Sequence, residues 1–448
     1  MNMPTPNLYP LRGLPNQRQV WSWISFDVAN QSFTLLINTL LFSKYFTTVT
    51  LGSSKTANTQ WSLVFAGSML AVVFISPIAG AVADARATKK RWLIGSGVGC
   101  ALLTCLLGVI PPGDAVLIAA VYIPANILFN LGENFLASFL PELAGKHDFG
   151  RISGFSWACA YSAALLLLIL TVAGMFAFNW KAEVDWRPFF IFAGVWFMAF
   201  MIPTAIMLRE RAAPSGATGV AIGEALHRLA ATVRSIGEFR DLAVLLVASL
   251  FYGTGMSVIV AFASIIAGDF GFEAVELVGF VAVVTVSGVV GTLIPTLFQD
   301  RIGHKRTTVI LLGFWTLVTA GFAAYAFAFV RAPDPATFPR WPLWLFGNFI
   351  GVGLGSLGSA NRAFVGFLTP PSRSGELFGL WGMVFKLAAV GTVPFALVKD
   401  HIGIDWSMVV LTAFFAAGLV ASLFINEERG RKAAIEPGLF RAPETRRS

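Results

Sequence analysis

Between positions 22 and 425 one pattern recurs twelve times: a predominantly apolar run long enough to cross a bilayer, closed by a short polar connection. The runs lie at 22–46, 61–83, 92–110, 116–140, 153–178, 188–208, 241–267, 275–298, 307–330, 342–368, 375–398 and 405–425. About 20 such residues span the hydrocarbon core as a helix, and no water is available there to satisfy a free peptide group. A strand barrel needs short segments of alternating polarity, so continuous runs dictate helices. Composition agrees: 12% of the residues are charged against 56% hydrophobic, whereas a water-soluble domain is about one-quarter charged. The expected fold is an all-α integral membrane protein with twelve transmembrane helices. The first run is too long for a signal-peptide core and no small-residue cleavage site follows it, so it is expected to be retained.

The distribution of Lys and Arg orients the bundle. Of the 32 such residues, only Lys44, Lys55, Lys181, Arg187, Arg331, Arg340 and Lys399 fall on one side; Arg362 and Lys386 lie within runs and the rest crowd the other side. Basic loops stay in the cytoplasm, so both termini are expected there, in a cell (inner) membrane. The formal net charge of +8 is thereby a topology signal and implies no nucleic-acid partner. Cys100, Cys105 and Cys159 all lie inside runs, without metal or disulfide spacing, and the four histidines are scattered over connections. No metal and no cofactor are expected. No G-x-x-x-x-G-K-[ST] loop occurs, so direct drive by ATP is not expected. No Ser/His/Asp or metal constellation stands at one depth, and no enzyme is expected.

Six runs precede and six follow a polar stretch at 209–240. The loop Gly80-Ala-Val-Ala-Asp84-Ala-Arg86-Ala-Thr-Lys89-Lys90-Arg91 returns as Phe298-Gln-Asp300-Arg301-Ile-Gly303-His-Lys305-Arg306, with the acids 216 positions apart. Phe26-Asp27 through Ser32 aligns with Phe251-Tyr252 through Ser257 at an offset of 225, which also pairs Gly154 with Gly379 and Tyr161 with Lys386. At an offset of 229, Pro141 meets Pro370 and Glu133 meets Arg362. A repeat of that length means two homologous six-helix halves. The expected division is 1–208, a linker at 209–240, 241–425 and a basic tail at 426–448. In the linker Ile222, Leu226, Leu229, Val233 and Ile236 recur at helical spacing opposite Glu224, His227, Arg228, Arg234 and Glu238, which predicts an amphipathic helix on the membrane surface.

The duplicated loop resembles the G-x-L-A-D-R-x-G-R-K loop of major facilitator transporters, with Ala85 and Thr296 as departures. The first run, Trp23-Ile-Ser-Phe26-Asp27-Val-Ala29-Asn30-Gln31-Ser32-Phe33, resembles the vacuole-effluxer-like branch of that superfamily, as do Leu140-Pro141-Glu142 and Gly353-Leu-Gly355-Ser-Leu-Gly358-Ser-Ala-Asn361-Arg362. Ala137 stands where that branch has Asn, Ala163-Ala164 where it favours Gly-Gly, and Thr254 where helix seven usually carries an acid. The resemblance implies a major facilitator fold with helices one, four, seven and ten around a central cavity. It also implies alternating access, conformational latches at the two loops, and amino acids or similar small metabolites as cargo.

Four charges fall well inside the runs, away from their ends, where each costs about 2.5–3.5 kcal/mol or more. At about 1.5 Å per residue, Asp27 lies roughly 8 Å from its helix's cytoplasmic end, Glu133 and Arg362 roughly 9–11 Å, and Lys386 roughly 17 Å, near mid-bilayer. Lys386, Arg362, Asn30 and Tyr252 are the candidate substrate-binding residues, the two cations suiting a carboxylate- or phosphate-bearing solute. Asp27, Glu133, Asp84, Lys89, Asp300, Arg301 and Lys305 are the candidates for coupling or gating. Glu133 and Arg362 are also candidates for a structural pair closing the cavity floor, and Asp27 for a helix-start charge. Gly351, Gly353, Gly355 and Gly358 serve either tight packing or bending. The expected activity is secondary active transport of a small polar or anionic metabolite by a monomer, with protons as the candidate coupling ion. The alternative is a receptor or assembly factor that has kept the fold and lost transport.

Overall fold

The computed structural model describes Leu11, residues 16–143 and 149–210, Gly223, His227, Ala230, Arg234, and residues 236–370 and 373–435. The helix expected at 222–238 lies largely outside the described residues. Helix α1 begins as Gln17–Ser32 and continues through the π-helical Phe33–Leu40, the α-helical Phe42–Tyr45 and the π-helical Phe46–Thr50. It is followed by α2 (Ala57–Arg86), α3 (Lys89–Val109), α4 (Ala115–Ser138), α5 (Phe149–Ala177) and α6 (Arg187–Met207). The second set is α7 (Arg240–Asp269), α8 (Ala274–Ile302), α9 (His304–Val330) and α10 (Trp341–Leu368). It closes with α11 and α12 (Ile404–Leu423), α11 running from Ser374–Ala388 through a 3₁₀ turn to Thr392–His401. A short α13 (Glu427–Ile435) ends the described chain. Among the described residues eleven helices are long and apolar enough to cross a membrane. The twelfth run is the one that π turns divide.

The helices pair in the same way in both sets. In the first, α1 packs on α5 and α6, α2 on α4, and α3 on α4 and α6; in the second, α7 packs on α11 and α12, α8 on α10, and α9 on α10 and α12. Between the sets, α2 meets α11 and α5 meets α8, contacts that exchange under the same internal symmetry. Two six-helix halves are the result. Large rings fill each half: Trp61, wholly buried, sits among Phe42, Phe46, Phe65 and Tyr122, and Trp315 stacks on Phe415 at 4.4 Å.

Where helices cross most closely, the sequence supplies glycine. A Cβ on Gly355 would overlap the carbonyl oxygen of Gly288, one on Gly351 that of Val284, and one on Gly291 that of Val352. The small residues at 351 and 355 therefore let α10 lie backbone to backbone on α8. Gly353 faces the Trp315 ring, while Gly358 has open space around its Cβ position. The glycines of α10 thus divide, with tight packing the task of the first three.

Candidate functional site

The two halves enclose a cavity of about 680 Å³. It reaches the helix ends on the face that carries the α2–α3 and α8–α9 connections, the basic face, where Trp23, Leu140, Ser153 and Phe378 border it. Asp27, Asn30 and Gln31 from α1, Glu133 from α4, Tyr161 from α5 and Arg362 from α10 line its interior. The closed inner end of the cavity is apolar, with Val260, Val281, Val284 and Leu354. Thr34, Leu35 and Thr39 also line it, and they fall in the π-helical part of α1, whose wider turns re-aim side chains.

The polar side chains are held in sequence across the cavity. Asn30, buried, donates through Nδ2 to Glu133 Oε1, and the Ser156 hydroxyl of α5 donates to Asp27. Lys386 of α11 donates to Asn130 Oδ1 of α4 at 3.1 Å, a hydrogen bond that joins the two halves. Asn130 stands three residues before Glu133 on α4, so the Lys386 contact and Glu133 lie on one face of that helix. Asp27 and Glu133 line one wall of the cavity, whereas Lys386, a candidate substrate-binding residue, is not among the described residues that line it. Arg362 stands apart: its guanidinium is exposed to the cavity, and it makes no hydrogen bond or ion pair among the described residues. The candidate Glu133–Arg362 pair is not formed. Equal depth on symmetry-related helices puts both on one cavity, but Asn30 holds Glu133 on the α1 side.

Tyr252 also departs from expectation. Symmetry with Asp27 suggested the cavity wall, yet the ring is wholly buried between Phe385 of α11 and Gly418 of α12, its hydroxyl 2.8 Å from that of Ser249. Thr254, where the superfamily branch usually has an acid, donates to the Ala388 carbonyl of α11 at 2.9 Å. Both positions belong to the α7–α11 contact. A buried acid at 254 would face a carbonyl rather than a solute.

Outside the cavity the duplicated loops are built alike. Lys89 Nζ reaches Asp84 at 3.3 Å and Glu142 at 3.6 Å. The Glu210 carboxylate accepts from the backbone N–H of Lys89 and Lys90 at 2.8 and 3.1 Å, capping α3. In the second half Glu427 does the same for α9, accepting from His304 and Lys305 at 3.0 and 2.9 Å. Lys305 Nζ donates to the Leu423 carbonyl at 2.8 Å. Arg301 is exposed, and the side chain of Asp300 lies outside the described residues. Neither cap was anticipated, although Glu210 and Glu427 stand 217 positions apart, nearly the spacing of the two loop acids.

The face opposite the basic one is closed by contacts between the halves. Asp400 of α11 accepts from Asn58 Nδ2 and from the backbone and hydroxyl of Thr59, each at 2.7 Å. The Trp61 indole donates to the Ala261 carbonyl at 2.9 Å, the hydroxyls of Ser43 and Ser264 lie 2.9 Å apart, and those of Ser62 and Thr392 2.7 Å apart. The molecule is open to the basic face and sealed on the other.

Comparison with known proteins bears on both the bundle and its cavity. The family model described as "Vacuole effluxer Atg22 like" matches residues 48–435, so it takes in Glu133, Arg362 and Lys386 but begins beyond Asp27 and Asn30. The chain is 22% identical over 431 residues to the uncharacterized MFS-type transporter YxiO of Bacillus subtilis, covering 92% of this chain and 95% of that one. It is 20% identical to autophagy-related protein 22 of Kluyveromyces lactis, over 78% of this chain and 75% of that one. Among solved structures, the xylose transporter XylE from E. coli in its inward-open conformation superposes with a TM-score of 0.67 at 14% identity, over 94% and 99% of the two chains. The nucleoside transporter NupG superposes with a TM-score of 0.65 at 15% identity, over 91% and 96%. A multi-pass bundle of two six-helix halves around one solute-sized cavity, matched over most of its length, identifies the chain as a transporter rather than an enzyme, and it belongs to the vacuole effluxer Atg22-like family.

Proposed function

We propose that this protein is a secondary active transporter of small metabolites that carry a carboxylate or phosphate, amino-acid-like solutes among them, working by alternating access. The observation that supports this reading is Arg362. A guanidinium without a protein partner among the described residues, open to a 680 Å³ cavity, is costly in a membrane unless an anion completes it. Its planar donors match a carboxylate or phosphate in two parallel hydrogen bonds. A cavity of that size is in the usual range for small-molecule sites. Asp27 and Glu133, on the α1–α4 wall, supply the negative charge for a cationic group on the same solute or for a transported proton. Lys386 ties the halves at mid-depth through Asn130, where a solute carboxylate would compete for its ammonium. The protein works as a monomer in a cell membrane with its basic face to the cytoplasm, a placement supported by the Lys and Arg bias.

The test is counterflow of labelled carboxylate, amino-acid and phosphate solutes in proteoliposomes, with and without a proton gradient. Saturable exchange of at least one such solute is expected, abolished or strongly reduced by Arg362→Gln. Exchange confined to neutral solutes and unaffected by Arg362→Gln would overturn the assignment. Binding without exchange would instead mark a receptor.

A further inference from the structure

On the outer wall of the second half a groove of about 750 Å³ runs between α7 and α12. On α7 its lining steps along one stripe, from Arg240 through Val247 to Phe251; on α12 it steps from Ala417 through Val420 to Phe424. Spacings of three and four keep each set on a single helix face. The groove faces away from the bundle: Val247 is 50% exposed, Val420 53% and Phe424 71%. Apart from Arg240 its lining is apolar. The small side chains of α12 hollow it, and the larger Val and Phe residues form its rims.

We propose that this groove is a binding site for one glycerophospholipid with an anionic headgroup, its acyl chains along the groove and its phosphate on Arg240. Length is the first argument. Arg240 to Phe251 is eleven residues, about 16 Å of helix, and one leaflet of a hydrocarbon core about 30 Å thick has nearly that depth. The groove therefore spans one leaflet, with its charged end where headgroups lie. Charge is the second argument. Arg240 is exposed and makes no hydrogen bond or ion pair among the described residues. The adjacent Asp241 lies within electrostatic reach of Arg240, but its buried carboxylate is already held by Arg429 at 2.7 Å through both oxygens, with the Asn426 N–H also donating at 2.7 Å, so the three charges together keep a net positive charge. Glu238 is exposed nearby but does not line the groove. The chemistry thus selects a net anionic headgroup over one whose own ammonium compensates its phosphate. This site is independent of the central cavity and of the solute that crosses.

The experiment is native mass spectrometry of the full chain purified in detergent and mixed with equimolar phosphatidylglycerol and phosphatidylcholine. Wild type is expected to retain one phosphatidylglycerol in preference by about fivefold, the gain of one cation near anionic lipid. Arg240→Gln, checked for an unchanged melting temperature, should retain the two lipids equally, and Arg240→Lys should restore part of the preference. Ala417→Trp, which fills the groove and leaves the charge, should lower retention of both. Inorganic phosphate at millimolar concentration should not displace the lipid; if it does, the site reads an anion alone and the lipid assignment fails. Equal retention of the two lipids by wild type, or an undiminished preference in Arg240→Gln, also overturns it.

Discussion

At the scale of single residues, the cavity separates two cations that look alike in sequence. Arg362 and Lys386 are both apolar-run charges, yet Arg362 ends in the cavity with no hydrogen-bond or ion-pair partner among the described residues, while Lys386 binds Asn130 across the halves. Arg362→Gln is therefore expected to weaken binding of an anionic solute tenfold or more, about 1.4 kcal/mol, with Arg362→Lys recovering part of it. Isothermal titration of the three proteins checks this, and unchanged affinity in the glutamine variant would remove Arg362 from the site. Lys386 predicts a different pattern. Its partner Asn130 stands three residues from Glu133 on α4, so Lys386→Met and Glu133→Gln should each destabilise by stranding the other charge, by up to about 3–5 kcal/mol. The double variant should melt above at least one of its single parents. Strictly additive losses would show that the two charges do not interact.

At the scale of elements, the informative pieces are helix ends and close crossings. Glu210 and Glu427 each accept two backbone N–H groups at the start of α3 and α9, donors that a helix cannot satisfy internally. Replacing either by Gln removes the charge that faces the positive helix end. A loss of about 0.5–2 kcal/mol is expected for each, read as a lower melting temperature. Asp84→Asn loosens the neighbouring Lys89 contact and should slow transport while leaving solute affinity within a few fold, since the loop lies outside the cavity. Abolished binding in a folded Asp84→Asn protein would contradict that role. The α8–α10 crossing sets a harder limit: Gly355→Val places a branched side chain against the Gly288 backbone. The protein should express poorly or not at all, whereas Gly358→Ala, in open space, should be neutral.

At the scale of the whole molecule, the sealed face decides which side the cavity meets. Asp400 joins α11 to the start of α2 with three hydrogen bonds, and bonds to a charged group are worth about 1.5–3 kcal/mol each. Asp400→Ala should shift the population towards a form open on that face by tenfold or more. Spin labels at Gln60→Cys and His401→Cys, in a background lacking the native cysteines, should then report a longer distance component in double electron–electron resonance. A distribution identical to that of the parent would show that Asp400 does not hold the closure.

Legibility followed the physical origin of each feature. Run length, charge bias and the two internal offsets are properties of the chain itself, because a bilayer fixes helix length and excludes unpaired charge whatever the fold does next. The membrane-spanning helices, the two halves, the duplicated loop and the candidate charges Asp27, Glu133 and Arg362 were therefore all visible in one dimension. Where a side chain points was not. Tyr252 shares its register with Asp27, yet rotation of α7 against α11 buries it in a packing contact. The partners of Glu133 and Lys386 come from Asn30 and Asn130, uncharged residues whose importance depends on which helix faces which. The π turns of α1 left no mark in its apolar run. Sequence by itself determined that this chain is a multi-pass helical membrane protein with an internal repeat, since that follows from solvent and periodicity. Tertiary structure alone decided which charges meet, because helix rotation and crossing are set by side-chain contacts distant along the chain.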